Sequence, residues 1–525
     1  MTKEQQSADQ PKRHQRKRQG GRSANTRRSA PAVRQPPWTL PKITDSPIEP
    51  LDETAVQRIH DAAMRVLEDI GIVFLCDEAI SILKMSGCDV DVSTGNVRMG
   101  RDFVMEQVRK APAEFDLIPR NSERTLRIGG DTILFGNVAS APNCSDLDRG
   151  RRVGDRESYR DLLKLTQYFN CIHMMAGYPV EPLDIHPSIR HLDCIYDALT
   201  LCDKPVHAYS LGKERIEDAM EMVRIAAGIS QEEFESAPRI FTNINSTSPL
   251  KHDTFMLDGA MRMARLGQAV IITPFTLAGA MAPATIVGAV VQQTAEALAA
   301  VALLQVVRPG APVVLGSFTS NVDMSSGAPA FGTPEYMRAT QISGQMARFY
   351  NLPYRASNAC AANYPDAQAA WESAFSLWAC VTSGVNIVYH AAGWLEGGLC
   401  AGYEKFVMDC ETLQQVMHYM QQVTASADDL AVDAIREVGP NGNFFSAAHT
   451  LERYETAFYS PFLSDWRNFE AWEEQGSVAT PERANGVWKK ILNEFESPAM
   501  DAGAKEELEA FVSRRKEEGG APTDY

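Results

Sequence analysis

One stretch of the sequence combines three groups that could bind an organic cation. His390, Trp394 and Glu396 follow the apolar segment Val385-Asn-Ile-Val-Tyr389, so an imidazole, an indole and a carboxylate come just after a predicted strand. An indole face and a carboxylate both attract a quaternary or protonated amine. The pattern therefore predicts an amine pocket, although a buried tryptophan beside a surface glutamate would give the same sequence.

Further candidates stand at the ends of other predicted strands, where barrel enzymes carry their chemistry. Aromatic rings would hold the cation, Glu396 or Asp366 would balance its charge, and Arg355 or His390 would meet a substrate carboxylate. An ion pair between Arg355 and Asp366 is an equally open interpretation. The predicted substrate-binding set is Trp394, Glu396, His390, Arg355, Asp366, Asn358, Tyr209, Phe275, Phe318 and Asn245, with Tyr178 as a further ring.

Several common chemistries lack their residues. No lysine stands at a predicted strand end, and no glycine-rich phosphate loop or serine or cysteine nucleophile motif is present. His186 and His191 have no third ligand nearby, so no metal site is predicted. The remaining candidates could bind a cation, but few of them could move a proton. Dealkylation of a quaternary amine suits such a pocket, because an external nucleophile can take the methyl group while the amine leaves without a proton. No catalytic residue is assigned.

The elements that must position these residues repeat eight times: an apolar run, a loop and an amphipathic helix. Such alternation indicates parallel strands joined by right-handed crossovers, and eight units close a (β/α)8 TIM barrel of the α/β class. The predicted strands are 132–138, 171–177, 204–210, 239–245, 269–275, 312–318, 353–357 and 385–391. The predicted helices are 155–168, 187–201, 213–228, 252–266, 284–307, 333–350, 366–383 and 408–422.

Four regions are predicted along the chain. Residues 1–44 form a disordered basic arm, 45–130 a mainly helical N-terminal extension, 131–424 the barrel and 425–525 a C-terminal helical extension. The last region is expected to be anchored by the aromatic residues Phe444, Phe445, Tyr454, Phe458, Trp466, Trp472 and Trp488.

Charge and composition favour a cytoplasmic protein. Residues 1–42 hold eleven Lys and Arg and two acidic residues, which gives this segment a net charge of +9. Since the whole chain has a net charge of −16, the remaining residues carry −25. A solvated arm is the simplest interpretation of this basic segment, and nucleic acid is not the expected partner. Proline and glycine interrupt the charge-free stretch 266–295, so no membrane span is predicted. Ten scattered cysteines without a CxxC pair indicate reduced thiols.

Several longer motifs carry a family resemblance. They are Pro274-Phe-Thr-Leu-Ala-Gly-Ala-Met-Ala-Pro283, the segments 308–317 and 323–335, Leu352-Pro-Tyr-Arg355-Ala-Ser, Asp366-Ala-Gln-Ala, and His390-Ala-Ala-Gly-Trp-Leu-Glu-Gly-Gly-Leu399. With them the chain resembles the trimethylamine methyltransferase family from about residue 50 to about residue 515.

The resemblance implies a TIM-barrel subunit that passes a methyl group from a methylated amine to the cobalt of a separate corrinoid protein, binding no cofactor itself. The archaeal enzymes of this family carry pyrrolysine, placed in the loop after the seventh strand. Here that segment, Asn358-Ala-Cys-Ala-Ala-Asn363, has only ordinary residues. The chain is therefore similar to the non-pyrrolysine branch, whose members demethylate quaternary amines such as glycine betaine. A homo-oligomer is expected.

Two rival functions stay open at this point. The first is another TIM-barrel enzyme, a lyase or isomerase with His390 as its base, which would act without any corrinoid. The second is a protein that binds quaternary amines without turning them over.

Overall fold

Eight parallel strand segments close a barrel in the computed structural model, which describes residues 33–523. In chain order they are Leu134–Asn137, 171–176, 205–208, Phe241–Ile244, Ala269–Ile272, Val313–Gly316, Tyr354–Ser357 and Ile387–Ala392. Six of them form one sheet in the order first, eighth, seventh, sixth, fifth, fourth. The predicted (β/α)8 barrel is confirmed.

The second and third segments close the barrel through isolated bridges rather than full strands. Met174 pairs with Gly136, and His207 pairs with Phe241. The amide of Met175 also donates to the Pro205 carbonyl at 3.0 Å. The predictions of regular strands over 171–177 and 204–210 are thus corrected to single bridges.

Side chains that replace backbone partners explain these irregular segments. The amide of Phe135 donates to His173 Nδ1 at 3.1 Å, and that of Ala176 donates to Asn137 Oδ1 at 2.8 Å. The amide of Asn243 likewise donates to His207 Nε2 at 3.1 Å. Because these side chains satisfy buried N–H groups, the barrel closes without a continuous backbone ladder.

Helices follow the strands near the predicted positions. They are Arg156–Tyr168, Pro187–Leu201, Lys213–Ala227, Gln231–Ser236, Thr254–Arg265, Ile286–Val307, Pro334–Phe349, Ala367–Thr382 and Tyr403–Tyr419. Thr333 shows why one begins where it does: its hydroxyl accepts from the Tyr336 amide at 3.1 Å, and Pro334 occupies the first turn. The helix Ile286–Val307 is long and apolar enough to cross a membrane, but most of it is buried in the protein.

An unpredicted hairpin closes the bottom of the barrel. Its strands, Phe115–Leu117 and Leu126–Ile128, pack with the inward-facing residues of the barrel strands. Trp38 and Leu40 pack against the same cluster. Residues 33–44 of the predicted disordered arm therefore lie on the barrel, because they bring apolar side chains to its floor. Residues 1–32 lie outside the described part of the chain.

Short strands form an upper tier beyond the carboxyl ends of the barrel strands. One sheet contains Asn143–Asp146, Gly150–Val153, Trp394–Leu395 and Cys400–Gly402. Another contains Phe275–Ala278, Phe318–Val322 and Pro329–Ala330. Both sheets carry aromatic residues of the predicted site.

The regions before and after the barrel are helical. The first has helices Glu53–Arg65, Val66–Ile70, Asp77–Met85 and Arg101–Val108, with strands Ile72–Phe74, Asp89–Asp91 and Asn96–Arg98, the first of which pairs with Lys251–His252. The second has helices Ala427–Leu430, Val432–Val438, Ala448–Arg453, Phe469–Glu474, Thr480–Asn493 and Ala502–Glu517. Short 3-10 turns occur at Ser122–Arg124, Glu396–Gly398 and Phe444–Ser446.

The aromatic anchors predicted for the C-terminal region need correction. Only Trp488 of the seven is buried, and its indole nitrogen donates to Glu404 Oε1 at 2.9 Å. Phe445, Tyr454 and Phe458 are among those that stay exposed. Phe445 lies in a short 3-10 turn, and Tyr454 and Phe458 lie in the turn and bend that follow the helix Ala448–Arg453.

Candidate active site

A cavity of about 470 Å³ opens at the carboxyl ends of the barrel strands. Seven of the ten predicted site residues line it: Tyr209, Asn245, Phe275, Phe318, Arg355, His390 and Trp394. Among the residues that the structure describes, no acidic residue, lysine or cysteine lines it. Arginine is therefore the source of fixed charge in its wall.

The rings of Phe275, Phe318 and Trp394 form an aromatic wall, in which Phe318 contacts the other two. Phe275 and Phe318 are paired neighbours on parallel strands of the upper tier, and their rings stack with centroids 5.2 Å apart. Trp394 meets Phe318 edge to face at 6.1 Å. The negative faces of such rings attract a positively charged nitrogen.

Trp394 is held rigidly at the cavity. Its indole nitrogen donates to the Cys360 carbonyl at 3.1 Å, and its ring centroid lies 3.9 Å from that of His390. Gly398, with φ +103°, packs directly against the ring, where a Cβ would come within 2.7 Å of indole carbons. Only glycine fits this close approach in a left-handed conformation.

Arg355 is a buried cation without an ion-pair partner. Its guanidinium lies 4.2 Å from the centre of the Tyr389 ring and 5.7 Å from that of Phe318. One nitrogen donates to the Ser317 carbonyl at 3.4 Å, whereas Nε has no partner and no described carboxylate pairs with the group. Burial lowers the pKa of Arg355, yet arginine keeps its proton in proteins. An unpaired buried charge of this kind calls for an anionic ligand.

Two neutral imidazoles share the cavity with Arg355. Burial lowers the pKa of His207 to about 3 and that of His390 well below its usual value, and the charge of Arg355 lowers both further. His207 Nε2 accepts from the Asn243 amide, so its Nδ1 carries the hydrogen, and that atom has no partner. The Tyr389 hydroxyl and His390 Nδ1 are also unpartnered. Buried polar atoms are normally hydrogen-bonded, so these indicate a polar ligand.

An amide and hydroxyl network forms another part of the cavity wall. Thr273 Oγ1 donates to Asn243 Oδ1 at 2.7 Å, and Asn245 Nδ2 donates to the Thr273 carbonyl at 2.6 Å. These bonds fix the orientation of both amides. Asn243, Thr273 and Asn245 thus form a rigid polar surface.

Three predicted site residues do not line the cavity. Glu396 instead pairs with Arg151 at 2.9 Å, because the chain turns at Glu396 and directs the carboxylate to the rim. Asp366 is exposed and caps the helix Ala367–Thr382 by accepting from the Gln368 amide at 2.8 Å. Asn358 is fully buried and donates to the Ala391 carbonyl at 3.1 Å. The alternative ion pair between Arg355 and Asp366 is absent.

Sequence reasoning missed His207 and Tyr389, which lie within strands rather than at their ends. The alternation of side chains along a strand could have found Tyr389, because Ile387 two residues earlier faces the barrel interior. His207 lies in an irregular segment where this alternation gives little guidance.

Comparisons with known proteins place the chain in a family. The family model described as trimethylamine methyltransferase matches residues 17–520. The chain belongs to this family. A glycine betaine methyltransferase of Desulfitobacterium hafniense is 37% identical over 471 residues, which are 90% of this chain and 98% of the relative. A trimethylamine methyltransferase of the same species is 27% identical over 88% of this chain and 93% of its own.

This member of the trimethylamine methyltransferase family is a methyltransferase, since the relatives that match almost its whole length carry that activity in their names. A trimethylamine methyltransferase of Methanosarcina mazei is 28% identical over 87% of this chain and 93% of its own. The crystal structure of a hydroxylamine complex of the monomethylamine methyltransferase MtmB has a TM-score of 0.49 at 11% identity and covers 89% of this chain and 96% of that one. Family membership decides against the rival interpretation of the chain as a lyase or isomerase.

Proposed function

We propose that this methyltransferase demethylates a quaternary amine that carries a carboxylate, with glycine betaine as the model substrate, and passes the methyl group to a corrinoid protein. The buried, unpaired guanidinium of Arg355 in a cavity without acidic lining carries the proposal. A carboxylate placed there would form charge-assisted hydrogen bonds.

The charge of the cavity argues for a zwitterion over a simple cation. Choline or a protonated methylamine would bring a positive charge next to Arg355, and no cavity residue could balance it. A betaine brings its own carboxylate to Arg355, and its ammonium can lie against the rings of Phe318 and Trp394. The name of the 37% identical relative agrees with this choice.

The neutral side chains of His207 and Tyr389 would complete the carboxylate site. The N–H at His207 Nδ1 and the Tyr389 hydroxyl can both donate without adding charge. His390 is a poor candidate for a general base, because its lowered pKa makes it a weak one.

The methyl acceptor must come from outside the chain. The cavity offers no cysteine, lysine or carboxylate as a nucleophile, and burial raises the pKa of the Tyr389 hydroxyl. A partner's corrinoid supplies reduced cobalt as the nucleophile when it is bound. On methyl transfer the carbon–nitrogen bond would break with its electron pair left on nitrogen, so the amine would leave without needing a proton from this chain. The residues of this chain orient the substrate and exclude water.

The test is a substrate panel with chemically reduced free cobalamin. We expect methylcobalamin, measured by its absorbance, to form with glycine betaine at least roughly thirtyfold faster than with choline or trimethylamine, since an unmatched buried charge costs about 2 kcal/mol or more. Glycine, which has no methyl group, serves as the control. Equal rates for choline and glycine betaine would contradict the carboxylate site.

We also propose that the protein is a cytoplasmic homo-oligomer. All ten cysteines are free, as expected of a reducing compartment. The C-terminal region exposes a concentration of large apolar side chains, which a single copy leaves in water. They are Leu430, Val432, Ile435, Phe444, Phe445, Leu451, Tyr454, Phe458, Trp466, Phe469 and Val478. Light scattering of the full chain should give at least twice the chain mass, and a monomeric mass would contradict the proposal.

A further inference from the structure

A second cavity of about 490 Å³ lies beside the main one. The two share Ser140, Tyr209 and Leu211 in their walls. The second cavity, here called the side chamber, is bounded mainly by the loop after the second barrel segment and by the helices Pro187–Leu201 and Lys213–Ala227. Tyr178, the further ring of the predicted substrate site, lines the side chamber and not the main cavity.

Tyr209 forms the partition between the two cavities. Its hydroxyl lies 2.6 Å from Ser140 Oγ and accepts from the Tyr178 amide at 3.1 Å. The Tyr178 and Tyr209 rings meet edge to face with centroids 4.6 Å apart. The partition is therefore held by hydrogen bonds that a rotation of Ser140 or Tyr209 would release.

The charges in the side chamber differ from those in the main cavity. Glu181 and Arg190 both line it, and neither forms an ion pair with any residue in the described range 33–523. Arg190 donates to the Ile185 carbonyl at 3.0 and 3.2 Å. His191 is hydrogen-bonded to Asp218, whose carboxylate lies 2.8 Å from His191 Nε2. Arg215 also lines the side chamber, and its guanidinium donates to the Leu211 carbonyl at 3.0 Å and to the Pro522 carbonyl at 2.8 Å. The side chamber thus presents the carboxylate of Glu181 and the guanidinium of Arg190, which do not pair with each other, beside the second guanidinium of Arg215.

This arrangement fits a zwitterion whose ammonium carries a hydrogen. A tertiary ammonium can donate its N–H to the Glu181 carboxylate, whereas a quaternary ammonium has no N–H to donate. The carboxylate of the same molecule can meet Arg190. The main cavity has aromatic rings in place of an acidic residue and therefore favours a quaternary ammonium.

We propose that the side chamber binds the demethylated product, a tertiary-amine amino acid, after it passes the Tyr209 partition. This rests on the proposed function only for the origin of the ligand, because the binding itself needs no turnover. The proximity of the two cavities would let the product leave the aromatic wall while the main cavity accepts a new substrate.

The burial of Glu181 is consistent with this role. Burial raises the pKa of Glu181 to about 7, while the nearby Arg190 and a hydrogen bond with Tyr209 lower it in part. A carboxylate in this position gains from any ammonium that comes beside it, because the charged form is then paired.

The experiment measures binding to the full chain by calorimetry, with N,N-dimethylglycine and glycine betaine as probes. We expect Glu181→Gln to weaken dimethylglycine binding roughly ten- to hundredfold, as for a lost hydrogen bond to a charged group, and to leave glycine betaine binding unchanged. Arg190→Gln should give the same pattern and serves as the second variant if the first fails to fold. Arg355→Met should weaken glycine betaine binding and leave dimethylglycine binding unchanged.

Competition gives an independent result. Saturating glycine betaine should leave the affinity of the wild-type protein for dimethylglycine intact, because the two ligands occupy different cavities. Full displacement, no effect of either side-chamber variant, or no binding of dimethylglycine to the wild type would each overturn the proposal. If glycine betaine alone fails to bind, the proposed function fails while the result for the side chamber stands.

Discussion

Replacing Arg355 with methionine should weaken glycine betaine binding by roughly thirtyfold or more and raise the melting temperature of the ligand-free protein. The loss of affinity follows because removing one partner of a buried charge pair costs about 2–5 kcal/mol. The gain in stability follows because the free protein holds a buried guanidinium without an ion-pair partner, whereas methionine keeps the apolar contact with Tyr389.

Calorimetry and thermal melts on the same samples check both effects. Arg151→Met is the matched control, since Arg151 is half-exposed at the rim and pairs with Glu396. An exposed pair is worth about 1 kcal/mol at most, so this change should alter affinity by less than about fivefold. An Arg355→Met protein that binds glycine betaine normally and melts earlier would show that Arg355 serves only the fold.

Replacing Trp394 with alanine should reduce both stability and substrate affinity. The ring is 6% exposed, packs against His390 and Phe318, and donates to the Cys360 carbonyl. Truncating a buried tryptophan costs about 3–5 kcal/mol of folding free energy. The lost cation–π contact should weaken betaine binding about five- to thirtyfold, equivalent to roughly 1–2 kcal/mol.

Trp394→Phe separates the two effects. Phenylalanine keeps an aromatic face towards the ligand but leaves the Cys360 carbonyl without its donor, a loss of about 1 kcal/mol. We therefore expect a lower melting temperature with affinity close to that of the wild type. Trp371→Ala, at an exposed helical position, is the control for loss of an indole. Equal affinity in Trp394→Ala and the wild type would remove Trp394 from the substrate site.

The two acidic residues predicted for the site, Glu396 and Asp366, do not line the cavity. Glu396 and Asp366 both follow predicted strands, as active-site residues do, yet one pairs with Arg151 and the other caps a helix. Which way a loop carboxylate points depends on the nearest cation or free amide, and those partners come from distant or helical positions. The absence of an acidic group from the cavity, which favours a zwitterion, could not have been predicted.

The sequence by itself determined the barrel and the chemical character of its mouth. Strand and helix periods depend on local side-chain patterns, and helix starts depend on local caps such as Thr333, so both can be predicted without a structure. The aromatic residues Phe275, Phe318 and Trp394 were identified for the same reason, as residues that follow apolar strands. Only the tertiary structure decided how they meet. The upper tier pairs Phe275 with Phe318 across 43 positions of sequence, and the barrel closure leaves Arg355 among rings with no carboxylate nearby. Such contacts depend on the register of distant strands, which local sequence patterns do not specify.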